Sequence, residues 1–77
     1  MAVADVQINL NELKAERIRK GISQKELANR LGVGSAWVYM RESGRREITL
    51  NELVRMAQVM GCTKEETKTL ALNVLGD

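Results

Sequence analysis

An all-α fold, a compact domain of five short helices, is predicted by three observations. Four segments open with a polar cap residue followed three places later by glutamate, the reciprocal capping box that closes a helix N-terminus: Asn9 with Glu12, Ser23 with Glu26, Thr49 with Glu52 and Thr63 with Glu66. Each box leads into apolar residues spaced at three and four, the period of a helix with one buried face. The chain contains no proline to interrupt such runs, and no alternating apolar and polar pattern marks a strand.

The first helix opens at Asn9, with Ile8 and Leu13 as its hydrophobic staple, runs to about Lys20 and stops at Gly21. Leu10, Leu13, Ala15 and Ile18 are expected to face inward. The second opens at Ser23, stapled by Ile22 and Leu27, and carries Leu27, Ala28 and Leu31 on one face with Lys25, Asn29 and Arg30 on the other. Gly32 ends it, since glycine alone takes the left-handed C-terminal conformation without a steric penalty. Val33 re-enters the core and a third helix begins near Gly34 or Ser35. This is the one helix without a box. The fourth opens at Thr49, stapled by Ile48 and Leu53, carries Leu50, Leu53, Val54, Met56, Ala57 and Met60, and stops at Gly61. The fifth opens at Thr63 and sets Leu70, Ala71, Val74 and Leu75 inward. Residues 1–8 read as an N-terminal arm and 9–77 as one domain.

Two short helices joined by a three- to four-residue turn containing glycine form a helix-turn-helix, whose second helix enters the major groove of DNA. The run Gln24, Ala28, Gly32, Val33, Val38, Glu42 and Gly44, with Arg17, resembles the Cro/CI-type (XRE-type) helix-turn-helix of phage repressors and bacterial regulators. The resemblance covers about residues 10–61 and implies a lambda-repressor-like DNA-binding fold. It also implies an ion pair between Arg17 and Glu42 that fixes how the recognition helix sits; the alternative for Arg17 is a solvated helix charge.

Carried over position by position, Gln24 would donate its amide to the DNA backbone, helped by the N-terminal N–H groups of the recognition helix at Gly34. Ser35, Ala36 and Met40 fall where the family reads base edges, flanked by Trp37 and Tyr39. This set lacks the Gln, Asn or Arg that make bidentate contacts to purines, so readout would rest on a hydroxyl, on thymine methyl contacts and on DNA shape. Arg41, Arg45 and Arg46 would contact phosphates or the groove at the helix end. Many family members carry an aliphatic residue where Arg41 stands, so Trp37 has two open placements, in the core or facing DNA. Gly34 stands where the family usually has a Ser or Thr cap, so the amides behind it are expected to be completed by a phosphate.

Charge distribution agrees with a nucleic-acid partner. Residues 14–46 hold nine of the twelve Lys and Arg against three of the ten acids, a balance of +6, and the remainder is net −4. A basic segment over the proposed reading helices is the footprint of phosphate contact. With 77 residues, 44% of them hydrophobic, the chain makes one small core stable by a few kcal/mol at about the usual level for its size. It has no apolar stretch near the roughly 20 residues of a membrane span and no leader-like N-terminus, so a cytoplasmic protein is expected. The single Cys62 reads as a small buried hydrophobe.

Catalysis is disfavoured. Histidine is absent, removing the commonest general base and metal ligand, and one cysteine cannot build a zinc site. Gly32-Val33-Gly34 resembles a fragment of a phosphate loop, but no strand precedes it and no Gly-Lys-Ser/Thr follows. No cofactor or small-molecule ligand is implied. A homodimer is expected from the two-fold symmetry usual for such regulators, with Leu72 and Leu75 as interface candidates, helped by Val3, Val6 and Ile8 of the arm. The stretch GRREITLNEL after the recognition helix resembles phage and mobile-element repressors; an antitoxin repressing its own operon is also consistent. The reading from another class is a protein-interaction module that uses the Trp37, Tyr39 and Met40 surface.

Overall fold

In the computed structural model, which describes residues 8–76, five helices follow one another: α1 Leu10–Arg19, α2 Gln24–Leu31, α3 Ser35–Ser43, α4 Leu50–Val59 and α5 Lys64–Leu75. No strand occurs among the described residues, so the fold is all-α. The start of α2 is held by the Ser23 hydroxyl, which accepts from the Glu26 N–H at 3.0 Å. Thr49 and Thr63 close α4 and α5 with both halves of the capping box. Each such cap contributes about 1 kcal/mol of helix stability.

Two of the four expected boxes are incomplete. Asn9 precedes α1 without a side-chain cap, at φ −98 and ψ 84. Its N–H, which Glu12 was expected to accept, donates instead to the Val74 carbonyl at 2.7 Å. That bond ties the start of α1 to the far end of α5. At Ser23 only the hydroxyl half is formed, and the Glu26 carboxylate accepts instead from Arg30 Nε at 3.0 Å.

The five largest fully buried side chains are Leu13, Leu27, Val38, Met56 and Val74, one from each helix. They meet at one centre, with Ile22, Ala28, Leu53, Ala57, Met60 and Leu70 completing the core. Truncating one of them, Leu27→Ala for example, is expected to cost about 2–5 kcal/mol through lost burial and the cavity left behind. α3 packs on α2 and α1; α5 packs on α1 and α4; α2 also packs on α4.

Three apolar assignments change. Ile18 is exposed, not inward. Arg17 takes the core-facing position one turn beyond Leu13 and is buried, so the next residue is rotated about 100° away from the core. By the same geometry Val74, one turn beyond Leu70, takes the inward position and leaves Leu75 exposed beside Leu72. Leu50 is exposed as well. Cys62 is half-buried against the core, its Sγ 3.8 Å from Glu16 Oε2. Burial, and then the Glu16 carboxylate, push its thiol pKa up, so it stays protonated.

Candidate nucleic-acid interface

The turn between α2 and α3 is made by Gly32 at φ 76, a left-handed conformation that would strain any side chain. The Val33 N–H then returns to the Ala28 carbonyl at 3.0 Å. Gly34 caps α3 with extended backbone and no side-chain bond. The Trp37 N–H is taken by the Gly34 carbonyl at 3.0 Å. The other end of α3 stops at Gly44, φ 81, where an added Cβ would lie 3.3 Å from Leu10 Cδ1.

Helical spacing divides α3 into two faces. Val38 and Glu42 point inward and are buried. Ala36, Tyr39, Met40 and Ser43 share the other side and are exposed, and Ser35, three residues before Val38, is exposed because it stands in the first turn, with Tyr39 exposed by 47% and Met40 by 37%. The expected base-reading positions Ser35, Ala36 and Met40 are all exposed, Ala36 and Met40 on one face and Ser35 at the N-terminal end of the helix.

Beneath them, Arg17 grips Glu42 through both carboxylate oxygens, Nε to Oε2 at 2.6 Å and Nη2 to Oε1 at 3.1 Å. Its third nitrogen, Nη1, donates to the Ile22 carbonyl at 2.8 Å. The Gln24 amide adds a bond to Glu42 Oε1 at 3.1 Å. Two buried charges are thus matched by a two-pronged contact and extra hydrogen bonds, the condition under which such a pair is tolerated. Gln24, expected on the DNA backbone, has one amide hydrogen committed to this cluster; its second hydrogen and its carbonyl are left over.

Trp37 is half-buried and packs against the core, beside Leu31 and Val33 and the α4 residues Asn51, Glu52 and Arg55. Arg41, one turn on, lays its guanidinium over the indole, 4.0 Å from the ring centroid, and its Nη2 reaches Glu52 Oε2 at 3.3 Å. Arg41, expected to contact phosphate, is therefore turned toward α4, because the indole and a carboxylate offer it partners within the domain. Glu52 is a site residue that the sequence did not expose: its role in the Thr49 box accounts for it already. Accepting the Thr49 N–H, and then the Arg41 bond, holds its carboxyl below the ordinary glutamate range.

Five of the nine cations in the basic segment are paired. Arg17, Arg19, Lys20, Arg30 and Arg41 each lie within 4 Å of a carboxylate. Among the described residues, Lys14, Lys25, Arg45 and Arg46 have no such partner, and all four are exposed. Arg45 lies 6.0 Å from the Tyr39 ring centroid, so one cation and one aromatic ring sit together at the C-terminal end of the exposed stripe.

A family model described as helix-turn-helix matches residues 13–66, from the buried Leu13 to the Glu66 of the last capping box. The chain belongs to the Cro/CI-type (XRE-type) helix-turn-helix family. No curated protein and no solved structure matches it. As a member of this family it is a DNA-binding helix-turn-helix regulator, and α3 occupies the place of the helix that enters the major groove. This helix-turn-helix domain has no helix long and apolar enough to cross a membrane among its described residues. Of the residues expected at a dimer contact, Ile8, Leu72 and Leu75 are exposed, Leu72 by 69% and Leu75 by 43%. Leu72 and Leu75 are three residues apart and so share one face of α5. Val3 and Val6 lie outside the described residues.

Proposed function

We propose that this protein is a sequence-specific regulator of transcription that occupies an operator in double-stranded DNA as a homodimer and represses, in the manner of phage or mobile-element repressors. The exposed stripe of α3, with the unpaired Arg45 and Arg46 at its end, carries this reading. In the major groove the Ser35 hydroxyl can exchange a hydrogen bond with a base edge, and Ala36 and Met40 can pack on thymine methyl groups. Arg45, Arg46 and Lys25 supply cations for the phosphates, while the open N-terminus of α3 behind Gly34 supplies amides. With so few hydrogen-bonding groups on the stripe, part of the preference comes from DNA shape. The Leu72 and Leu75 face of α5 is the proposed contact between two copies.

Selection of bound duplexes from a random pool, repeated at two salt concentrations, tests this. The expected result is an inverted repeat with half-sites about 10 bp apart and an affinity that falls steeply with salt. Absence of enrichment and of binding at low salt would reject it.

The adjoining exposed Tyr39 and Met40 favour a second reading, a module that holds a protein on the same face, as an antitoxin-type partner would. The R45E/R46E double variant separates the two. It abolishes DNA binding on the first reading and leaves an apolar protein contact intact on the second.

A further inference from the structure

The recognition helix is fastened on two sides by different means. Toward α1 and α2 it has packed backbone neighbours and the buried Arg17–Glu42 pair. Toward α4 it has no close backbone neighbour among the described residues. Outside the core that Val38 shares with Leu53, Met56 and Ala57, what spans that side is a chain of three side chains: Trp37, the Arg41 guanidinium laid across it, and Glu52 in the first turn of α4. Glu52 divides its oxygens, Oε1 accepting the Thr49 N–H at 3.0 Å and Oε2 accepting from Arg41 at 3.3 Å. The far end of the strap is thereby tied to the capping box of α4.

We infer that Arg41 and Glu52 are positioning residues for DNA recognition: the Trp37–Arg41–Glu52 strap sets how α3 is presented to the groove, and the charge of Arg41 is held by Glu52 instead of a phosphate. This rests on the reading of α3 as the DNA-reading helix. Trp37 and Arg41 are four apart on one helix, so the stack follows from the helix itself. The Arg41 side chain is 17% exposed, and its Nε is buried without a hydrogen-bond partner. An arginine serving phosphates would present its nitrogens to solvent. Swinging it outward would uncover the indole and leave Glu52 without its cation.

The two roles for Arg41 predict opposite signs for one substitution. E52Q keeps an oxygen for the Thr49 cap but removes the charge that holds Arg41. If Arg41 positions α3, E52Q weakens binding to the duplex recovered by selection; if Arg41 contacts phosphate, removing a competing carboxylate strengthens it. We expect E52Q and R41M each to weaken binding about five-fold, with losses that do not add in the double variant. R41K, which keeps the charge and can still reach Glu52, should recover part of the loss. The dependence of affinity on salt should keep its slope in R41M, whereas loss of a phosphate contact lowers the slope by about one.

Trp37 is the sole tryptophan, so its emission in the free protein reads the strap without DNA. A red shift in E52Q and R41M is the expected outcome. Unchanged emission in both variants, tighter DNA binding by E52Q, or a reduced salt slope in R41M would each overturn the inference. A wild-type chain that binds no duplex defeats the DNA-reading role and the positioning role with it, while a red shift in the same samples shows that failure to lie in the reading of α3, with the strap itself intact.

Discussion

Gly34 and Thr49 lead into their helices with nearly the same backbone, φ −81 and ψ 158 against φ −85 and ψ 160, yet the first turns behind them are finished differently. Thr49 and Glu52 satisfy each other's backbone groups, so α4 closes its own N-terminus. Gly34 offers no side chain, and α3 is held instead from its middle and second half, by Val38, Arg41 and Glu42. The helix that supports the fold is locally complete. The helix that meets the proposed ligand is anchored from behind and left open in front, where helix N–H groups attract anions.

The largest effect should come from cutting the rear anchor. R17M leaves Glu42 buried without its cation and is expected to destabilise the domain by about 3–5 kcal/mol, most of the stability of a chain this size, as read by urea denaturation. The R17M/E42L double variant should recover much of that loss, since two apolar side chains carry no unpaired charge. If the single variant melts like the wild type, the anchoring of α3 from behind is wrong.

Opening the closed helix comes next. Thr49→Ala should cost about 1 kcal/mol, lowering the thermal midpoint by about 4–8 °C. A variant that melts with the wild type would show that the box contributes nothing to α4.

Acid should act on the boxed helices and spare the start of α3. Glu52 and Glu66 are held below the ordinary glutamate range chiefly by the backbone N–H of Thr49 and Thr63, Glu66 also by Lys20. Their folded pKa values lie below the unfolded ones, so their contribution is present above the unfolded value, about 4.3, and is lost as pH falls through the depressed folded values. The melting midpoint should decline on acidification below about pH 5, and E66Q should flatten part of that decline. An equally steep acid limb in E66Q would contradict the assignment.

The smallest effect is the one that makes the starts of α3 and α4 alike. Gly34 has extended backbone and nothing within 4 Å of an added Cβ, so G34S can supply the missing cap. A gain of a few tenths of a kcal/mol, about 1–2 °C in melting temperature, is expected. A loss would show that the backbone at Gly34 does not accept a side chain.

Much of the fold could be read from short stretches of chain. Thr49 with Glu52 and Thr63 with Glu66 act three residues apart, and Gly32 stops its helix by its own conformation, so these boundaries need no knowledge of the rest of the molecule. Asn9 with Glu12 has the same spelling and does not form the box, because its N–H is claimed by the Val74 carbonyl 65 residues away. Ile18 and Leu75 went to solvent for a related reason: Arg17 and Val74 took the inward positions, and the next residue on each helix is rotated about 100° from them, here away from the core. In the candidate site, the family resemblance alone was enough to pair Arg17 with Glu42. The basic count did not show that Lys20 and Arg41 are paired by Glu66 and Glu52 from outside the segment, since those contacts exist only after folding.

By itself the sequence determined the helix count, the turn at Gly32, the family and the face of α3 that carries Ala36 and Met40, because caps, glycine and helical period act within a few residues. The tertiary structure decided which cations remain unpaired, that Trp37 lies under Arg41 and across a pocket from α4, and that Gln24 joins Glu42. Those outcomes depend on which distant side chain arrives first at a charged or apolar surface, and distance along the chain does not record it.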